Sequence, residues 1–444
     1  MIDAAPSMHT GPLAQAKGSD LEHLNSNHAS PLAFKALLFF FFIMYVAPQA
    51  LIPGLEPLHL AKISAVLAIA AYGFSRLVQG QQLTVFTKEI KLILCFVALA
   101  IVSIPFSQWP GGSWDFFTDT YSKSVILFFL VVNLLVNQKR CRQMLWAITI
   151  FSAFNAVIGV DRYLSGEVVG GYRVKGGYSG LSADPNDLAL SLNLAIPFMW
   201  YLFESSKRTF QKMLAGSMLV LAVVGVILSY SRGGFLALIG LFLWFAWIRF
   251  KDRGAAVLVK AAFIGMLVLA FFPSGYSDRV LSIFDSSKDD TGSGEVRLIV
   301  MKEAVNIVVQ HPLGAGLKMH NLLVQKAGAG WAGVHSVYLE IAADLGLIGG
   351  VLFVVIHWKL IRAMQHLRTS PALRGSTLRP LAEATEVSLI AFAVGGMFLA
   401  VAYLQSFYIL AGITLAVKIM AMRQYPNIET VHQYKGQPAF SRTQ

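Results

Sequence analysis

The chain has 444 residues, 56% hydrophobic and only 14% charged, with a mean hydropathy of +0.60. A soluble domain carries about 25% charged residues, so an ordinary globular protein is excluded, as are a disordered chain, collagen, a coiled coil and a disulfide scaffold. Thirty-six Lys plus Arg against 24 Asp plus Glu leave a formal charge of +12, which suits loops facing anionic lipid; no basic stripe with interleaved aromatics points to nucleic acid.

In chain order, residues 1–32 are polar and rich in Ser, Asn, His and Pro, with acidic residues where a signal peptide needs a basic start. They read as a disordered cytoplasmic tail. Apolar runs then follow, long enough as helices to cross a hydrocarbon core of about 30 Å. They fall near 33–50, 58–77, 91–106, 122–137, 143–160, 187–203, 212–229, 232–249, 256–272, 336–361, 384–402 and 404–421. The expected fold is an all-α polytopic membrane protein of about 12 transmembrane helices over 33–421, with a second cytoplasmic tail over 422–444. A porin-like barrel is disfavoured, since its strands are short alternating segments.

Alternate connections carry the basic residues: Arg76, Lys88 and Lys91; Lys139, Arg140 and Arg142; Lys207, Arg208 and Lys212; Arg249, Lys251 and Arg253; Arg362, Arg368, Arg374 and Arg379. The positive-inside rule places these connections, and both termini, in the cytoplasm. Cys95 and Cys141 lie near spans on that half, which disfavours a disulfide or a zinc site. Two outside connections are long, about 161–186 and 273–335. Structureless loops of that size are usually functional.

The residues on the outer side form a constellation. Ser229-Tyr230-Ser231-Arg232-Gly233-Gly234 makes a tight turn between two apolar spans, with the glycines expected to supply free dihedrals. An arginine at that depth is either a snorkelling side chain or an anion ligand. Residues 295–310 read as a helix ended by Pro312, with Glu295, Lys302, Asn306 and Gln310 on its polar face. Arg297 projects the other way, among Val300, Met301, Ala304 and Val308, to meet either a loop carboxylate or a phosphate, which the guanidinium fork binds bidentately. His311-Pro312-Leu313-Gly314-Ala315-Gly316 leads to His320-Asn321 and to His335, which stands just before the first apolar turn of a span. Such a histidine is a capping residue or a base. In the shorter loop, Asp184-Pro185-Asn186 reads as a turn feeding a helix that Asn186 would cap, and Arg173 and Lys175 are available to an anion. No Walker loop, no G-x-S-x-G elbow, no metal spacing among the ten His and no acidic cluster for a nucleotide-sugar's divalent ion is present.

At these residues the chain resembles the O-antigen ligase and polymerase superfamily. The resemblance rests on the Ser-Arg-Gly-Gly turn, the loop helix carrying Arg297, Pro-x-Gly-x-Gly, and His335 before Tyr338-Leu339-Glu340 and Leu345-Gly346-Leu347-Ile348-Gly349, roughly residues 170 to 350. It implies a GT-C-type glycosyltransferase of the bacterial inner membrane, its active site periplasmic, moving a glycan from undecaprenyl pyrophosphate to an acceptor with inversion and without metal or cofactor. Carried over by motif, Arg232 and Arg297 would hold the pyrophosphate and His335 would act on the acceptor hydroxyl. Ser336 stands where the family usually has Asn, and His320-Asn321 keeps a His-Asn pair, so His320 is the rival base. Arg173, Asp184, Asn186, His320, Asn321 and Tyr338 are the expected substrate-binding residues.

The expected reaction is ligation of O-antigen polysaccharide from its undecaprenyl-pyrophosphate-linked donor to a lipid A–core acceptor. Polymerisation of the lipid-linked chain and protein O-glycan ligation are alternatives within the family. A lipid-linked glycan transporter is the alternative outside it, disfavoured by mostly apolar span midpoints and by the lack of an internal repeat.

Overall fold

The structure is a computed structural model, and it describes residues 30–177, 182–254, 293–326 and 333–428. Among these residues the regular structure is helical, and one isolated antiparallel bridge joins Val169 and Arg173. Helices are what an apolar chain must form in hydrocarbon, where every backbone polar group has to be satisfied within its own segment. Their first turns are capped by short polar side chains: Ser30 accepts from Ala33, Thr87 from Ile90, Asn137 from Arg140, Ser231 from Gly234 and Ser336 from Leu339.

The helices are α1 (Pro31–Val46), α2 (Leu60–Val78), α3 (Lys88–Ser103), α4 (Pro110–Phe116), α5 (Ser122–Leu134), α6 (Gln138–Ser165), α7 (Pro185–Ser205), α8 (Thr209–Leu228), α9 (Arg232–Arg253), α10 (Ser293–Gln310), α11 (His320–Lys326), α12 (Val337–Thr369), α13 (Leu378–Gly395) and α14 (Gln405–Gln424). Eight segments among the described residues are long and apolar enough to cross a membrane: 56–78, 110–134, 138–165, 185–205, 209–228, 232–251, 337–369 and 405–424. The chain is a multi-pass, all-α membrane protein. α1 and α3 are apolar but only 16 residues long, and α13 carries Arg379, Glu383 and Glu386 along its 18 residues. The run expected at 256–272 lies outside the described residues, as do most of both expected tails.

The run expected at 384–402 is displaced. Its helix, α13, starts at Leu378 and stops at Gly395. Glu383 and Glu386 sit inside that helix because each is paired: Glu383 with Arg249 at 2.7 Å, Glu386 with Arg368 at 2.7 Å. The expected run contained Glu386 but began just after Glu383 and continued past Gly395.

α7 and α14 are the most enclosed spans, and α2 is the least. One apolar core runs from Ala33 on α1 to Ile428, just past the end of α14. Successive hairpins leave two ends to the bundle. The turns at 228–232 and 395–405, the loop at 166–177 and the start of α12 share one end, called here the site end. The last turns of α9, α12 and α14 and the first turn of α3 share the other, the basic end.

Candidate functional site

The Ser-Arg-Gly-Gly turn joins α8 to α9. Its positive φ falls on Tyr230 (49°), while Gly233 and Gly234 are helical. The glycines serve close packing rather than the free dihedrals expected of them. A Cβ on Gly233 would stand 2.6 Å from the Phe398 Cβ, and one on Gly234 2.4 Å from the Ala189 Cβ. Ser231 caps α9 and leaves Arg232 as its first residue, half-buried.

The 166–177 loop folds back on this turn. Val169 and Arg173 exchange backbone hydrogen bonds at 2.7 and 3.0 Å, and the buried Arg162 donates to the carbonyls of Lys175 and Gly176. Arg173 Nη2 donates to Asn186 Oδ1 (3.0 Å), and the Ser231 hydroxyl donates to the same oxygen (2.7 Å). Asn186 therefore ties the loop to the turn; the cap of α7 is Asp184, whose Oδ1 accepts from the Asn186 N–H at 2.8 Å. A cap two residues earlier than expected also leaves Pro185 at the first helical position, where its missing N–H costs nothing.

α10 brings in Arg297. Val300, Ala304 and Ile307 form one buried stripe, packed with Val324 of α11, Val334 and Ala343 of α12. Arg297 stands one turn before Val300 on that stripe and is half-buried, whereas Lys302, Asn306 and Gln310 are exposed. The helix therefore presents the face read from its periodicity, and it carries Arg297 to the neighbour of Val334, His335.

The Pro-x-Gly-x-Gly loop has a role that its glycines alone do not reveal. α12 breaks at Gly346 (φ 70°, ψ −178°). Backbone groups released there pair with the loop: Ala315 N–H donates to the Ala343 carbonyl (2.8 Å), Gly316 N–H to that of Asp344 (2.9 Å) and Leu347 N–H to that of Pro312 (3.3 Å). Gly314 and Gly316 hold φ of 90° and 92°, and a Cβ on Gly314 would lie 2.2 Å from the Asp344 carbonyl oxygen. Below this splice Lys318 pairs with the buried Glu340, and Asp344 Oδ1 receives both the His320 backbone N–H (3.0 Å) and His320 Nδ1 (2.8 Å). Burial works to lower the Lys318 ammonium, but the carboxylates of Glu340, Asp344 and Asp187 outweigh it and hold the lysine above its ordinary value.

His335 lies where these segments meet. Burial pushes its imidazole down to about 4; the positive charge of Arg297 acts in the same sense, Asp184 opposes it, and Arg173 and Lys318 add to the lowering. One histidine thus feels four charged side chains from four separate segments. So lowered, the imidazole is neutral at pH 7 and a weak base until an anion offsets the excess of positive charge around it. The backbone next to Arg232 is linked to the start of α12 through one turn. The 396–400 turn lies against Gly233 on one side, and on the other accepts the Val337 N–H at Gly396 (2.7 Å).

Of the remaining expected residues, His320 is fully buried in its Asp344 pair, and Asn321 follows it on α11. The Tyr338 hydroxyl donates to the Ala393 carbonyl (3.1 Å) and its ring packs on Phe353, which locks α12 against α13. Two residues escaped sequence reasoning. Lys318 had only its place between a glycine run and a histidine as a signal. Asn155, deep in α6, accepts from Gly177 N–H (2.8 Å) and the Ser182 hydroxyl (2.7 Å), and so closes the shorter loop. Among the described residues no group of three or more His, Cys, Asp or Glu is arranged to hold a metal.

The segment from α8 to the middle of α12 holds Arg232, Arg297, His320, Asn321, His335 and Tyr338. Residues 217–354 match the O-antigen ligase family model. The resemblance read from the motifs is thus shown over that segment, and it stops short of Arg173, Asp184 and Asn186. Members of this family are glycosyltransferase-like ligases, and the family implies lipid-linked glycan substrates in general. No curated protein matches the chain.

Proposed function

We propose that this chain is an O-antigen ligase that transfers a polysaccharide from undecaprenyl pyrophosphate to a lipid A–core sugar on the periplasmic side of the bacterial inner membrane. The observation that carries the reading is the imidazole of His335, held neutral by burial and lying in the electrostatic field of Arg297, Arg173 and Lys318. His335 takes the proton of the acceptor hydroxyl, whose oxygen attacks the anomeric carbon from the face opposite the pyrophosphate. The bond from that carbon to the pyrophosphate oxygen breaks, and configuration inverts. Arg297 and Arg232 stabilise the charge that develops on the departing oxygen, as preorganised donors do where water is excluded. Fixed guanidinium charge leaves no need for a metal in this scheme. The lipid tail enters between spans.

The test uses the full-length protein in detergent with undecaprenyl-pyrophosphate-linked polysaccharide and lipid A–core. Glycoconjugate should form without nucleotide or added metal, and its absence with both substrates authenticated would favour a transporter. In cells, deletion of a ligase strands long glycan on the carrier lipid. Single repeats still reaching the core would instead identify a polymerase.

A further inference from the structure

The basic end of the bundle contains a cavity of about 830 Å³ between α3, α9, α12 and α14. Six basic side chains line it, Lys88, Lys251, Lys359, Arg362, Arg368 and Lys418, against one carboxylate, Glu89. The carboxylates of this end are already engaged: Glu89 pairs with Lys418 at 2.9 Å, Glu386 with Arg368 at 2.7 Å, and Glu383 and Glu204 with Arg249, both at 2.7 Å. Among the described residues the other four cations have no carboxylate partner. Arg362 donates to Gln365 (3.3 Å), Lys251 lies over the Trp247 ring (4.6 Å), and no described carboxylate lies within ion-pair distance of Lys88 or Lys359. Such a collection of like charges repels itself unless an anion enters.

The rim shows which anion. Trp247 and Trp358 are half-exposed, in the manner of tryptophans at a headgroup boundary. An exposed apolar stripe runs from each towards the middle of the bundle: Leu243 one turn before Trp247 on α9, and Val354 and Val351 one and two turns before Trp358 on α12. Basic groups in the cavity, indoles at its mouth and apolar tracks leading away match a phosphate headgroup with acyl chains. A free phosphate would use only the first of these. His335 lies before the break of α12 at Gly346, and the cavity begins at Trp358, about 18 Å along the helix beyond that break, so this cavity is separate from the transferase site.

We propose that this cavity binds the phosphate headgroup of an anionic membrane phospholipid from the leaflet at the basic end. A basic pocket between transmembrane helices suits a lipid with two phosphates, such as cardiolipin. The site fixes the splay of α9 and α12, whose opposite ends carry Arg232 and follow His335.

The test is native mass spectrometry of the delipidated full-length protein titrated with tetraoleoyl cardiolipin, with dioleoyl phosphatidylcholine as the neutral lipid and inorganic pyrophosphate as competitor. Each basic contact is worth about fivefold in affinity. The combined variant Lys88→Gln, Lys359→Gln, Arg362→Gln should therefore bind cardiolipin about a hundredfold more weakly. A charge-matched variant at the same end, Lys139→Gln, Lys207→Gln, Arg208→Gln, should bind as the parent does. If the triple variant fails to fold, Lys359→Gln alone should lose about fivefold in the same titration. Unchanged binding in the cavity variants, an equal loss in the charge-matched variant, or equal binding of phosphatidylcholine overturns the proposal. Displacement of cardiolipin by pyrophosphate at matched concentration also overturns it, in favour of a soluble phosphate ligand.

Discussion

His335 and Arg297 can be tested against each other. The imidazole is held at about 4, chiefly by burial and next by Arg297, below the ordinary value of about 6.5. The basic form therefore persists well below neutral pH, and kcat/KM, which reports the free enzyme, should stay level from pH 7 down to about 5 before falling. Arg297→Gln removes a cause of the lowering, so the acid limb should move up towards the ordinary histidine value. Arg297→Lys keeps the charge and should leave that limb in place, but it loses the bidentate fork, so transfer should fall roughly a hundredfold with folding intact. Lys302, exposed on the opposite face of α10, should accept Ala within about twofold. An unshifted limb in Arg297→Gln, or full transfer activity in Arg297→Lys, would detach Arg297 from the histidine. Protonation also couples to folding. Because the folded pKa is the lower one, the unfolded chain binds the proton first, and stability drains away as pH falls from about 6.5 towards 4.

At the scale of elements, the sequence disclosed helices more readily than the joints between them. The loop helix was legible because Val300, Ala304 and Ile307 repeat at the helical period, and that period also set the direction of Arg297. The break in α12 was not legible. Residues 336–361 read as one unbroken span, and Gly346 leaves the helix only because a loop some thirty residues earlier supplies partners for its freed backbone groups. The role of Gly316 is long-range in the same way: at φ 92° its missing Cβ leaves room for Ser107, whose own Cβ would be 1.9 Å away. Gly316→Ala thus combines backbone strain with overpacking, and should destabilise the protein by about 3 kcal/mol, read as a lower Tm in detergent. Gly171 has a similar φ of 85° but open space around it. Gly171→Ala should cost only the strain, about 1 kcal/mol. Equal losses at the two positions would mean that the splice against Ser107 is not tight.

Across the whole molecule, charge both orders the bundle and should orient it. Most helices could be placed from solid apolar runs, but α13 was placed several residues late, the run starting just after Glu383; Glu383 and Glu386 enter that helix as partners of Arg249 and Arg368. Those pairings gather at the basic end, together with the Lys and Arg of the alternate connections, while Arg232, Arg297 and His335 gather at the other. By the positive-inside rule the transferase site proposed above is expected on the periplasmic side. Cysteine labelling checks this directly. Cys141 is buried and Cys95 exposed, so both are first replaced by Ser. Lys302→Cys reports the site end from the exposed face of α10, and Arg374→Cys reports the basic end from the exposed connection between α12 and α13. In intact cells with a permeabilised outer membrane, a membrane-impermeant maleimide should label Lys302→Cys, and should reach Arg374→Cys only after the inner membrane is opened. The reverse order would put His335 on the cytoplasmic side, where a glycan already exported on its carrier lipid could not meet it.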